Sequence, residues 1–239
     1  MERHEASELG RREGAAAKAQ GETESAPLDA QALNEVAGQN IFLLSPAHCG
    51  GRRAQILLRD EASFPLAVQV RERGASLGEV FSFLSGLYFR GKLAYARAFS
   101  RTGAVPHGIL IITPGRGLVP ADTMVGIDDL REIAEIGVTV GEPRFREPLE
   151  RDSATLASAL SGDDSVILLG SIATGKYVDV IENHLDGRLR FPSDFVGRGD
   201  MSRGGLMLRC VLAARELAYV PIAGAVRRGP RPPKLDPIR

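Results

Sequence analysis

The chain has 239 residues, 44% of them hydrophobic, 25% charged and 5% aromatic, which suits one α/β domain whose core needs no disulfide or structural metal. Its 30 basic and 30 acidic side chains cancel, so no global field advertises a nucleic-acid or membrane partner, and two cysteines exclude a disulfide scaffold and a four-cysteine zinc site. The longest apolar runs fall far short of the ~20 residues of a membrane helix and the first residues carry no secretory signal, so a soluble, cytoplasmic chain with reduced thiols is expected.

Residues 1–37 are rich in Ala, Glu, Gln, Gly and Ser and poor in bulky apolar residues. Such a segment cannot offset its ordering entropy, so it is expected to be disordered or loosely attached to a single domain over residues 38–226. Within that domain, Ile41–Ser45 reads as a buried strand that ends in Ser-Pro. A capping-box spacing from Ser76 to Glu79 opens a helix over Leu77–Leu87, and Gly91–Ser100 continues helically. Gly108–Thr113 is a second strand, ending at Pro114-Gly115, and Asp128–Ile136 and Glu147–Leu160 are helices at the 3.6-residue period. Ser165–Leu169 is a third strand, entered from an Asp-Asp turn and left at Gly170-Ser171. Helices over Lys176–Leu185 and Arg203–Glu216 follow. Leu217–Ile222 is a fourth strand, with Pro221 favouring an edge. Continuous rather than alternating hydrophobicity means strands covered on both faces, hence a three-layer α/β sandwich around a short, mainly parallel sheet. Residues 227–239, rich in Pro and Arg, read as an extended tail, either solvated or lying on a neighbouring subunit.

In open α/β sheets ligands gather where strands end and helices begin, and three such ends carry suitable residues. After the first strand, Ser45, Gly50 and Gly51 permit close approach, Arg52 can reach an anion, and His48 can act as acid or base. A flexible turn with surface arginines explains the same string. After the second strand, Gly115 and Arg116 place a cation at the sheet edge, and Asp122 is the candidate general base, with turn formation as its plain alternative. After the third, Gly170-Ser-Ile-Ala-Thr-Gly-Lys-Tyr177 nearly matches GxxxxGK[ST], with Ser171, Gly175 and Lys176 as candidate anion ligands. Tyr177 stands where a P-loop has the magnesium-binding hydroxyl, so an ordinary P-loop NTPase is disfavoured.

Leu87-Tyr-Phe-Arg-Gly-Lys-Leu-Ala-Tyr-Ala-Arg97 interleaves aromatics with cations. That mixture can stack bases and bind phosphates, or it can be a helix with packed aromatics and solvated charges. The glycine-rich loop Phe195–Leu206 offers Asp200 or Ser202 as a helix cap. Its Arg198-Gly199-Asp200 would be an adhesion motif only in an extracellular setting. The four histidines show no metal-ligand spacing, no metal or cofactor is indicated, and Cys49 beside glycines and arginines is a weak thiol candidate.

The strand ending LLSP, the helix YFRGKLAYA and the strand-turn IITPGRGLVPADT resemble the broad group of uracil-DNA-glycosylase-like, archaeosine-synthase amino-terminal and peroxide-stress YaaA-like domains, over about residues 40 to 180. The resemblance implies an α/β fold acting on a nucleobase. The glycosylase strings GQDPYH and HPSPLS are absent, so no catalytic residue carries over. The leading expectation is therefore a site for a nucleotide, modified nucleoside or exposed nucleic-acid base, open to glycosidic-bond or base-modifying chemistry. Two alternatives stay open: a non-catalytic partner-binding or assembly subunit using the C-terminal tail, and a phosphate-ester hydrolase or nucleotide transferase using the Gly170–Lys176 turn.

Overall fold

A computed structural model describes residues 38–102 and 107–235. The expectation for residues 1–37, and that for the last four residues of the tail, lie outside the described residues.

Six strands form one sheet in the order β4-β3-β1-β6-β7-β8. Its centre is parallel: β1 (Asn40–Leu44) lies between β3 (Ile109–Thr113) and β6 (Ser165–Leu169), and β6 pairs with β7 (Leu189–Pro192). Both edges are antiparallel, β4 (Gly117–Pro120) folding back on β3 and β8 (Tyr219–Pro221) on β7. The three strongest strand expectations hold to within a residue, and the fourth forms the edge that Pro221 favours. The fold is the expected three-layer α/β sandwich. β7 and β4 were not anticipated. β4 is a four-residue return from a tight turn, and β7 mixes Leu189 and Phe191 with Arg190 and ends at a proline, so neither carries the unbroken apolar run that marks its neighbours.

The alternation of β1 divides the core. Phe42 and Leu44 pack with Ile111, Ile167 and Leu169 against one helical layer, whereas Ile41 and Leu43 pack with Leu110, Ile112, Val166 and Leu168 against the other. The first layer comprises α1 (Arg52–Leu57), α2 (Pro65–Glu72), α3 (Leu77–Ser85), α4 (Leu87–Phe99) and α8 (Asp200–Leu212), joined at one end by Leu130 and Ile133 of α5 (Ile127–Glu135). The second comprises α6 (Pro143–Ala159) and α7 (Val178–Leu185). A small antiparallel pair, β2 (Ala75–Ser76) with β5 (Met124–Val125), pins the start of α3. Ser76 caps that helix as its spacing predicts, accepting the Glu79 N–H at 3.3 Å. Neither Asp200 nor Ser202 caps α8. Gly199 precedes the helix with no side-chain cap, and the Ser202 hydroxyl accepts from Arg198 instead.

The Asp-Asp turn before β6 does its work through Asp164. This buried carboxylate accepts from the Ser161 N–H at 2.8 Å, and from the Gln39 N–H and side-chain amide at 2.7 and 2.8 Å. It thereby aligns the entry of β1 with that of β6. The C-terminal segment folds over its own chain. Arg227 pairs with Asp179 at 2.9 Å, Arg198 donates to the Pro233 carbonyl at 3.5 Å, and Gly197 leaves no room for a side chain beneath the Pro230 carbonyl.

One contact sets the layer on which the site depends. Where α4 crosses α8, Gly91 and Gly204 face each other so closely that a Cβ on Gly204 would stand 2.7 Å from the Leu87 carbonyl oxygen and 2.9 Å from the Tyr88 Cα. Backbone atoms cannot swing aside as a side chain would. We therefore expect Gly204→Val to destabilise the fold by about 1–3 kcal/mol or more, the usual cost of overpacking, as read from the urea-denaturation midpoint; an unchanged midpoint would contradict the crossing.

Candidate functional site

The connection from β1 to β3 runs over one face of the sheet, and the connection from β6 to β7 runs over the other. The loops leaving β1 and β6 therefore part from each other and open a crevice, as at the switch point of other open α/β sheets. The Ser45 N–H still bonds to the Leu169 carbonyl at 3.2 Å, after which Pro46 turns the first chain away. Gly170 keeps the two strand ends together, because a Cβ there would lie 2.9 Å from both the Ser45 Cβ and the Tyr177 hydroxyl. The resulting cleft has a volume of about 840 Å³ and is larger than a groove of about 630 Å³ between α2 and α5. Its walls are the β1 and β6 loops, the start of α4, Pro114, the end of α5 and Asp200.

Beneath this cleft lies a lysine. Lys92 is 1% exposed, and its ammonium-bearing tip donates to the Ser45 carbonyl at 2.5 Å and meets the Ser45 hydroxyl oxygen at 3.0 Å. The rings of Tyr88 and Phe89 lie 4.6 and 4.5 Å from Nζ. No carboxylate pairs with it among the described residues. Burial pulls its pKa down to about 7; the more distant Asp200 opposes this and Arg203 adds to it. The two aromatic faces favour the charged form, so the amine sits close to the balance between its two states.

Two tyrosines complete the floor. Tyr177 enters α7 and bends back onto the strand end, donating to the Ser171 carbonyl at 3.0 Å and accepting the Ser171 N–H at 3.2 Å. The backbone N–H that would otherwise face a phosphate is thus already occupied. Tyr88 is 7% exposed and lines the cleft, and its hydroxyl has no hydrogen-bond partner. Burial raises its pKa, and the nearby Arg203 guanidinium opposes the rise. Arg203 directs Nε and Nη2 to the Phe195 carbonyl, both at 3.1 Å.

Of the residues singled out in sequence, the fold gathers Ser45, His48, Gly50, Ser171 and Lys176 at the cleft. Gly51 packs beside the His48 ring and Arg52 opens α1, exposed and outside the lining. Gly175 takes a positive φ of 64° in the turn before Lys176, where a Cβ would collide with Asp179. The second strand end contributes differently from expectation. Arg116 is spent on Asp129 at 2.6 Å and Glu132 at 2.8 Å, tying the β3–β4 turn to α5. Gly115 borders a separate groove with Ile136 and Arg144. Asp122 follows β4, which runs antiparallel to β3, and so lies at the opposite end of the sheet from the cleft. The Cys49 thiol is pushed up to about 12 by burial and is not a thiolate nucleophile.

Lys92, Tyr88 and Tyr177 were not assigned to the site from sequence. A signal existed: Tyr88, Lys92 and Tyr95 recur at i, i+4 and i+7, which puts the lysine on the apolar stripe of α4, while Arg90 and Arg97 point outward. The aromatics are packed, as one of the two sequence readings required, but Lys92 is not solvated. Among the described residues no group of three or more His, Cys, Asp or Glu is placed to hold a metal ion, and no helix is long and apolar enough to cross a membrane. No family model, curated protein or solved structure matches the chain.

The depressed pKa of Lys92 has a thermodynamic consequence. Below about pH 7 the folded state carries the full cost of burying the charge. Between that pH and the ordinary lysine value the unfolded chain alone still holds the proton, so the cost fades as pH rises. Relative to Lys92→Met, the native protein should gain roughly 3–5 kcal/mol between pH 7 and 10, measured by urea denaturation of both proteins across that range. A difference independent of pH would mean that the amine titrates normally.

Proposed function

We propose that the cleft between the ends of β1 and β6 binds a nucleobase or nucleoside, free or exposed in a nucleic acid. The observation that carries this reading is the buried, unpartnered Tyr88 hydroxyl in a cleft of about 840 Å³ at the parting of the strands. A cleft of that size suits a small organic ligand. An unpaired buried hydroxyl costs free energy unless a ligand completes its hydrogen bond. Ser171 and His48 on the same lining offer further polar contacts to the edge of a heterocycle.

The charge of the lining argues for a nucleoside over a polyphosphate. Among the described lining residues Lys176 carries the only permanent positive charge, opposed by Glu135 and Asp200, while Arg52 and Arg116 stand outside. The turn that resembles a P-loop is closed by Tyr177, which weakens the phosphate-ester reading. The tail from Arg227 to Leu235 makes contacts within its own chain, which leaves the assembly reading without a specific observation in its favour.

Calorimetric titration with free bases, nucleosides, mono- and triphosphates and short single strands tests this reading. A base or nucleoside should bind, with triphosphates no tighter, and Tyr88→Phe should weaken binding about 10-fold, the worth of one neutral hydrogen bond. Arg116→Ala should leave affinity unchanged and shift stability by only about 1 kcal/mol, as for an ion pair still partly open to solvent. Failure of every base, nucleoside and single strand to bind would overturn the proposal.

A further inference from the structure

The floor of the cleft also holds a pair of groups that binding alone does not require. We propose that Ser45 is a nucleophile activated by Lys92, so that the cleft carries out acyl transfer on a small carboxylic ester or amide. This goes beyond the binding reading and does not need the ligand to be a nucleoside.

Geometry carries the assignment. The Ser45 hydroxyl oxygen lies 3.0 Å from Lys92 Nζ, within reach for direct proton transfer, and Ser45 lines the cleft at the end of the central strand. A neutral amine has two N–H bonds and one lone pair. Lys92 Nζ donates to the Ser45 carbonyl at 2.5 Å and to the Ser45 hydroxyl oxygen at 3.0 Å, beside which Tyr177 also bonds. Loss of the ammonium proton would free a lone pair at this contact to accept the serine proton. The groups facing Lys92 are Ser45 from β1, Tyr88 and Phe89 from its own helix, and, farther off, Asp200 and Arg203 from α8. None of them is a carboxylate in contact that would hold the amine protonated, and its pKa falls accordingly. A methionine would fill the same space without the cost of burying an amine, so a purely structural role leaves the lysine unexplained. Tyr88 lines the same cleft, and its buried hydroxyl has no hydrogen-bond partner.

The step balances with water as the only co-reactant. Ser45 Oγ bonds to the substrate carbonyl carbon as its proton passes to Lys92 Nζ, and the carbonyl π pair moves to oxygen. Collapse of the adduct breaks the bond to the alcohol or amine, which leaves with the proton from Lys92. A water molecule then gives a proton to Lys92 and attacks the acyl-serine carbonyl, and Ser45 Oγ departs, recovering its proton.

The test is covalent labelling of the full-length protein by a fluorophosphonate, which captures activated serines with loss of fluoride. Intact-mass analysis should show one adduct, and peptide mapping should place it on Ser45. The rate should rise with pH through a single titration near 7, and Lys92→Met should slow it by about 100-fold or more, the scale of lost general-base catalysis. Because the wild-type adduct is located directly, the result does not depend on how well any variant folds. Absence of an adduct on Ser45, or labelling with no pH dependence, would overturn the assignment. Labelling without nucleoside binding would sink the binding proposal and leave this one standing; nucleoside binding without labelling would do the reverse.

Discussion

An amine buried among apolar side chains must find hydrogen-bond acceptors, and Lys92 finds them in the backbone and hydroxyl oxygens of Ser45 at the end of β1. Much of the surrounding packing meets that constraint. The helix carrying Lys92 must press against the sheet so that the side chain reaches Ser45, and Gly91 beside it lets α8 approach from the other side. Gly204 returns the same closeness, and its neighbour Arg203 locks onto the Phe195 carbonyl. The electrostatic centre and the steric centre of this layer are thus one place.

The two ends of the sheet carry different duties. At the end where β1 and β6 begin, polar groups engage one another in a network. The Tyr95 and Tyr219 hydroxyls meet at 2.7 Å, Tyr219 donates to Glu216, and Glu216 pairs with Arg101 and accepts from the Asn40 amide. That network joins α4, β8 and the start of β1. At the other end, where the strands finish, the floor is only partly satisfied: Tyr88 has no partner and Lys92 sits between protonation states. Polar groups left incomplete beside a cleft are where a protein spends stability on function.

Continuous apolar runs made β1, β3 and β6 legible in the sequence, because strands buried on both faces admit nothing else, and the Ser76–Glu79 spacing announced the start of α3 because capping is local. The strand-end loops were legible for the same reason, and Ser45, His48, Gly50, Ser171 and Lys176 do meet at the cleft. Arg116 and Asp122 were not separable from them by type or position in a loop. Whether Arg116 faces a ligand or two carboxylates on α5 depends on where α5 packs. Which end of the sheet receives Asp122 depends on β4 reversing direction along β3.

The sequence by itself determined the layer architecture, the central strands and the loops from which a site can be built, since these follow from local pattern and the burial of apolar side chains. Only the tertiary structure decided which polar groups share that site. Lys92 and Ser45 are 47 positions apart and Tyr177 comes from a different crossover, so their meeting is a property of the sheet order and the close crossing of α4 and α8. Long-range contacts of that kind leave no periodicity along the chain. They arise because a twisted parallel sheet brings the ends of separate strands to one edge, where their loops must pack together or open onto a ligand.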